Sequence, residues 1–403
     1  MRVLLSGYDS RGGVEPLVGL AAVLRKAGAE VRVCAPPDEE FAARSAEVGV
    51  RFTPVGFSVR ALMTGTVAPS PADVPRRGEA LIAEQLDLVA GEAEGCDVVL
   101  GTGLLPSVAG AASVAELLGV RYVYASYQSI SLPSPHHRPM ERPLHPLPAD
   151  LTDDRALWEF DDRAANALFR AGLNTHRAAH GLPPVESVRD LGFTGRPWLA
   201  SDPILDPWPE SADRAVVQTG AWIVPDERRL PEGLEAFLDA GDPPVYVGFG
   251  SSAMRSSQGL AQVVVAAVRA QGRRAVLARG WADLAAVDGA EDCFVVGEAN
   301  HQALFRRVAA AVHHGGAGTT TTAAFAGAPQ VLVPQLGDQP HFAARVAALG
   351  IGAHHDGPVP TFESLSAALK IALAPETAER AAEVAAEVRA DGAATAARML
   401  LDG

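Results

Sequence analysis

Residues 310–329 read AAVHHGGAGTTTTAAFAGAP. Ala310–His313 has the apolar, non-alternating character of a buried strand, and a helix is expected over Thr319–Ala326. Between them the chain is rich in glycine, which lets a backbone approach a ligand closely. A helix start presents unpaired N–H groups and a partial positive charge of roughly half a unit. His314 can donate through a ring nitrogen, and Thr319 and Thr320 add hydroxyls. This set suits a diphosphate; a tight turn with a threonine cap would explain two of the residues but not all. No Lys-Ser or Lys-Thr follows, so the phrase is not a Walker P-loop. Neither Gly-rich loop carries GxGxxG, which leaves a nicotinamide or flavin dinucleotide without support.

Outward from this phrase the same alternation repeats. Short apolar runs at 2–6, 30–34, 97–101, 122–125, 244–248, 274–278, 293–296 and 330–334 read as strands. Helical patterns at 15–27, 108–118, 258–270 and 339–349 lie between them. Strands covered on both faces and alternating with helices predict an α/β protein of doubly wound parallel sheets. The pattern starts twice, at RVLLSGYDSRGGVEPLVGLAAVL (2–24) and at PVYVGFGSSAMRSSQGLAQVVVAAV (244–268), each read as strand, Gly-rich loop, helix. DPILDPWPESADR (202–214), with three prolines and little periodicity, is expected to link a domain of residues 1–201 to one of residues 215–403. Residues 132–148 hold six prolines and three histidines, and a functional loop and a solvated excursion are equally compatible with them.

Further candidates flank the strands. GFGSS, with Ser251, offers a second phosphate contact, although an ordinary turn explains it as well. Asp338 and Gln339, in PQLGDQPHF, follow a strand where a ligand crevice opens in a parallel sheet, and their acceptors and donors suit vicinal hydroxyls. Asp338 is equally placed to cap the next helix. Trp281 could give a base or sugar a flat face, or fill a core. His176 and His180 lack the glutamate of HExxH, no GxSxG elbow is present, and no Asp-x-Asp pair exists to hold a metal on a diphosphate. The 34 Lys and Arg stand against 48 Asp and Glu, so a nucleic-acid-binding chain is not expected. Three distant cysteines, no apolar run of membrane length and no signal-like N-terminus point to the cytoplasm.

HHGGAGTT followed by PQLGDQP, with GFGSS upstream, resembles the donor half of inverting GT-B glycosyltransferases of the UDP-glycosyltransferase superfamily. GLPPVE, VQTGAWIVPDER, ARGWADL, CFVVGEANHQALF and GPVPTFESLSAAL resemble the subgroup acting on glycopeptide antibiotics of the vancomycin and teicoplanin group. The likeness spans nearly the whole chain, and its two halves resemble different members, which would fit a chimera. It implies two facing Rossmann-like domains, an acceptor half and a nucleotide-sugar half, with a C-terminal helix packing back toward the first. A hinge at the linker would close on the donor. By the same resemblance His314 and the amides of Gly316, Ala317, Gly318, Thr319 and Thr320 would hold the diphosphate, assisted by Ser251. Val296–Glu298 and His301 would border the base, with Trp281 nearby, and Asp338 and Gln339 would hold hexose hydroxyls. Ser10, Arg11, Gly12 and Gly13 would face the donor from the first loop, and His136 and His137 the acceptor. The implied reaction is metal-independent transfer of a hexose, from UDP rather than TDP, to a glycopeptide aglycone by a monomer.

One departure stands out. Relatives carry an Asp in a first-loop phrase like SRGD as the acceptor's base, and here that position is Gly13. A general base contributes ~10²–10⁴-fold. Asp338 is the first choice to replace it, and Asp9, Glu15, His136 and His137 are the other candidates. The alternatives are a nucleotide-sugar-binding protein with impaired chemistry, in which Gly13→Asp would restore turnover, and a UDP-sugar epimerase or hydrolase on the same scaffold.

Overall fold

Six consecutive residues of strand β1 (Arg2–Tyr8) are buried, because the sheet it lies within is covered by helices on both faces. The computed structural model describes residues 1–65, 70–142, 144–209, 215–223, 225–250, 259–280, 284 and 288–403. β1 joins β2 (Glu30–Ala35), β3 (Arg51–Pro54), β4 (Val98–Gly103), β5 (Arg121–Ser126), β6 (Trp198–Leu199) and β7 (Val217–Gln218) in the order β3-β2-β1-β4-β5-β6-β7. A second sheet contains β8 (Val245–Gly248), β9 (Ala275–Ala278), β10 (Cys293–Val296), β11 (Ala310–His313), β12 (Gln330–Leu332) and β13 (Gly352–His354), ordered β10-β9-β8-β11-β12-β13. Every pairing within both sheets is parallel. Strand order reverses between β1 and β4 and again between β8 and β11, with Tyr8 opposite Gly103 and His313 opposite Gly248. A reversal of this kind opens a ligand crevice beyond the strands' carboxyl ends.

Each sheet belongs to its own unit. Met1–Ser201, Pro207–Val224 and Asp391–Gly403 form the first, and Asp202–Asp206 with Pro225–Ala390 form the second. In the first unit, Leu17, Leu20 and Leu24 fill one face of the sheet while Ile82, Leu86, Val108 and Phe169 fill the other. In the second, Val264, Val268, Leu365 and Leu369 oppose Leu234, Leu304 and Phe305 across the strands. Cys34 and Cys96 are buried and Cys293 is half-buried, all as free thiols. Among the described residues no helix is long and apolar enough to cross a membrane.

All nine expected strands form, and β3, β6, β7 and β13 are additional, being two to four residues long and so without a readable period. The helix starts need correction. The first helix runs Arg11–Lys26, so Gly12 and Gly13 are its opening turn, not part of an open loop, and Pro16 lies inside it. Reading the glycines as loop is what puts the expected start at Glu15. Ala317–Phe325 likewise begins inside the glycine run, two residues before Thr319.

The last helix, Gly392–Leu401, packs on Arg11–Lys26 and adds Ala393, Ala396, Ala397 and Leu400 to the first unit's core. Gly392 is required by its close approach to the backbone of Gly220 and Ala221. Arg121 donates to the Met399 and Leu400 carbonyls at the helix's far end, 3.4 Å each. Leu400→Ala should therefore cost about 2–5 kcal/mol, the range for emptying a fully buried leucine site. Urea unfolding monitored by tryptophan fluorescence would measure it, and a loss under about 1 kcal/mol, far below that range, would mean the helix contributes little.

Candidate functional site

At the second reversal the chain leaves β11 through two histidines with different tasks. His313 is fully buried; its Nδ1 accepts the Gly315 amide (3.1 Å), so its proton is on Nε2, which donates to Gln330 Oε1 (2.9 Å). Burial, with help from His314, pushes its pKa down to about 3. A neutral imidazole thus fixes the turn at Gly315, whose φ of +93° demands glycine. His314 is held differently. Burial lowers its pKa to about 4, and its Nδ1 is buried with no hydrogen-bond partner among the described residues. Its ring covers two glycines: a Cβ on Gly316 would lie 2.6 Å from His314 Nε2, and one on Gly250 3.0 Å from Cε1.

Gly316 caps the following helix without a side chain to satisfy it. The first amide to find an intrahelical carbonyl is that of Thr320, to Gly316 (3.0 Å). The amides of Ala317, Gly318 and Thr319 precede it, at the positive end of the helix. Thr320 departs from the sequence expectation: it is buried and its hydroxyl donates to the Gly316 carbonyl, so it offers no donor to a ligand. Thr319 lies half-buried at the helix surface.

The other expected residues group around this turn to differing degrees. A Cβ on Gly315 would meet the Gln339 carbonyl at 3.2 Å, which places the two motifs side by side. Gln339 is buried, and its Oε1 accepts the amides of Gln335 (2.7 Å) and Leu336 (3.2 Å), bracing the turn before Asp338. Asp338 is half-exposed at the N-cap of Gln339–Ala348, and its side chain makes no capping bond. The Val296 side chain is in the core, leaving Gly297 and Glu298 exposed beside it. His301 is engaged by the Tyr246 hydroxyl (3.0 Å) and stacks on Phe305 (ring centroids 4.7 Å apart). Ser251 and Trp281 lie outside the described residues.

At the first reversal, Ser10 caps the helix and accepts the Gly13 amide at its carbonyl (3.0 Å). Arg11 pairs with Glu15 (3.5 Å), and Glu15 also meets Arg44 (3.2 Å), so Glu15 is not available as a base. Asp9 directly follows β1; burial raises its pKa to about 6. In the proline-rich loop His136 is exposed, while His137 sits between Trp158 and Trp208, with ring centroids 5.9 and 6.2 Å away. The loop is anchored by a feature without a sequence signal, the Arg142 fork on buried Asp161 (2.6 and 3.0 Å). His176 and His180 pair with Glu79 (3.8 Å) and Asp87 (3.3 Å).

Helix-start amides without a side-chain cap and a neutral imidazole, beyond the end of a parallel sheet in a Rossmann-like unit, make a cradle whose chemistry suits a diphosphate. Residues 283–398 match the family described as erythromycin biosynthesis protein CIII-like, C-terminal domain. The chain is 55% identical over 401 residues to glycosyltransferase GtfE of Amycolatopsis orientalis, covering 99% of this chain and 97% of that one. It is 53% identical over 403 residues to the vancomycin aglycone glucosyltransferase of the same organism, covering 100% and 97%. In fold it is similar to the solved glycotransferase of kitacinnamycin, with 19% identity, a TM-score of 0.75 and coverage of 100% and 98%. The chain belongs to the vancomycin-group glycosyltransferases, enzymes of GT-B fold.

The cradle can be tested by substitution and by pH. Removing one donor to a charged phosphate costs ~1.5–3 kcal/mol, so His314→Ala should weaken UDP binding by calorimetry on the order of tenfold to a hundredfold. Gly316→Ala should do nearly as much by displacing the imidazole. Because His314 has its pKa lowered to about 4, affinity should stay level from about pH 5.5 to 8 apart from phosphate ionisation. A steep loss through the ordinary imidazole pKa of about 6.5 in the wild type but not in His314→Ala would mean the ring binds as a cation.

Proposed function

We propose that this glycosyltransferase moves a hexose, glucose or N-acetylglucosamine, from a UDP-sugar to a hydroxyl of a glycopeptide antibiotic aglycone, with inversion at the anomeric carbon. The observation that carries the reading is the uncapped helix start at Gly316 beneath the neutral His314 ring, in a chain with this kinship. The second unit would take the donor and the first the acceptor. In the donor half the amides of Ala317, Gly318 and Thr319 and the ring of His314 would receive the diphosphate, with Ser251 as a further contact. Asp338 would accept hexose hydroxyls, with the Gln339 amide beside it. Gly297, Glu298 and His301 would border the base, with Trp281 as an added face.

The chemistry this arrangement suits is displacement. The acceptor oxygen attacks the anomeric carbon as the bond to the diphosphate breaks, and charge builds on the departing oxygen. Preorganised amides stabilise such charge, with one donor worth ~2.7–4 kcal/mol in comparable sites. A neutral imidazole donates without giving up a proton, so it supports the leaving group without protonating the base needed for the acceptor.

Mass spectrometry of glycopeptide aglycones incubated with the chain and a panel of UDP- and TDP-hexoses tests the reading. A gain of one hexose is expected, fastest with a UDP-sugar and unchanged by EDTA. Faster transfer from TDP-sugars would reassign the donor. An unchanged aglycone beside a working control enzyme would remove the acceptor assignment.

A further inference from the structure

Gly13 is a glycine for reasons of volume. It lies in the opening turn of Arg11–Lys26, where any residue's backbone would fit, yet the space of a Cβ there is filled by Asp9. The Asp9 Cβ, Cγ and Oδ2 stand 2.5, 2.6 and 2.6 Å from that point. A side chain at residue 13 and the present Asp9 exclude one another.

The carboxyl held in this gap sits just beyond β1, at the reversal of the first sheet. Its Oδ1 accepts the Ser10 amide (2.6 Å), and the Ser10 hydroxyl adds a second bond. A carboxylate accepts about four hydrogen bonds, so capacity remains for a proton. Desolvation outweighs both Ser10 bonds and raises the group to about 6. The titratable neighbour that feels its charge is the buried Tyr127 hydroxyl, beside Thr102 of β4. Arg11, which opens the following helix, is turned to Glu15. The residue before Asp9 is tied at both ends: the Leu104 amide donates to the Tyr8 carbonyl (3.1 Å), and the Tyr8 hydroxyl donates to the Phe57 carbonyl (3.0 Å).

We infer that Asp9 is the base that takes the proton from the acceptor hydroxyl, and that Gly13 is the gap that allows it to stand there. The inference rests on the glycosyl-transfer reading above. In the step, the acceptor O–H proton passes to the Asp9 carboxylate while the acceptor oxygen bonds to the anomeric carbon. The carbon–oxygen bond to the diphosphate breaks and its electron pair leaves with the nucleoside diphosphate. Asp9 then returns the proton to water, so one proton is released per sugar transferred. A phenol, with a pKa of about 10, yields its proton to a much weaker base only as the new bond forms, which couples the two events.

The test compares the unmodified chain with Asp9→Asn, Asp9→Gly, Gly13→Asp and the double exchange Asp9→Gly with Gly13→Asp. Asp9→Asn should lower kcat by ~10²–10⁴-fold while UDP affinity stays within about twofold and Tm near neutral pH holds or rises. The rise is expected because a carboxyl whose pKa is raised on folding, here to about 6, loses its stabilising contribution as pH climbs through that value. Gly13→Asp alone should fall below the unmodified chain, and the double exchange should recover at least about tenfold over Asp9→Gly, as a base restored from the neighbouring position would. In the active chain kcat/KM should rise with pH through an apparent pKa of about 6, a limb absent from Asp9→Asn. An Asp9→Asn enzyme within about threefold of the unmodified one, or a fully active Gly13→Asp single variant, overturns the assignment. A carboxyl carbon titration of Asp9 in the free protein reads the same site without turnover: a midpoint of about 6 supports it and one at the ordinary carboxylate value of about 4 overturns it. A chain that glycosylates no aglycone defeats the transfer reading, whereas an active chain indifferent to Asp9 defeats this one.

Discussion

Parallel pairing throughout both sheets forces every connection to cross over a face, and where the strand order reverses the crossovers part to opposite faces. That constraint fixes where each unit can open. In the first, the chain leaves the opening at Tyr8 and Gly103, directly before Asp9 and Leu104. In the second it leaves at Gly248 and His313, directly before Phe249–Gly250 and His314. The groups assigned chemical work therefore stand immediately after the last paired residues of central strands. They are held by the most buried part of each unit, and loop length plays little part in placing them.

At both openings glycine serves as space for another residue's side chain. Gly13 makes room for Asp9 and Gly316 for the His314 ring, and Gly250 does the same while its positive φ also calls for glycine. Gly315 serves the backbone, since its φ is positive and its amide is taken by His313. The distinction matters for substitutions. A Cβ at Gly13 or Gly316 leaves the fold's hydrogen bonds intact and moves the functional group, whereas one at Gly315 strains the turn that carries it. Gly392 is a third case, in which the backbone of another segment takes the space and the consequence is helix docking.

The sequence is legible wherever a physical rule acts over several residues. Runs such as Val98–Gly101 and Val245–Gly248 are buried on both faces and therefore non-alternating, so the doubly wound fold and all the longer strands can be read directly. β6 and β7 have two residues each, too few for any period. Helix starts are placed late when glycine is taken as a sign of loop, whereas at Arg11–Gly13 and Ala317–Gly318 it opens a helix. In the site, His314 and the amide cradle are legible as a phrase. The division of labour between His313 and His314 is not, since it depends on Gln330, which lies seventeen positions away on the next strand. Nor does spacing show that Gly13 leaves its volume to Asp9, since that depends on how the turn after β1 folds.

One physical cause, removal from water, acts on the two openings in opposite senses. It disfavours charge, so it lifts the Asp9 carboxyl to about 6 and depresses the His314 imidazole to about 4. Near neutral pH the first is ionised and able to take a proton, and the second is neutral and able to donate a hydrogen bond without competing for that proton. The stability consequences also oppose one another. The ionised Asp9 is a burden on the first unit that grows as pH rises through about 6. In the second unit, acid below the ordinary imidazole range of about 6.5 favours the unfolded chain, where His313 and His314 can be protonated. Activity thus calls for a pH above about 6, where the first unit is held in its less stable ionisation state, as expected when a carboxyl is kept poorly solvated so that it can act as a base.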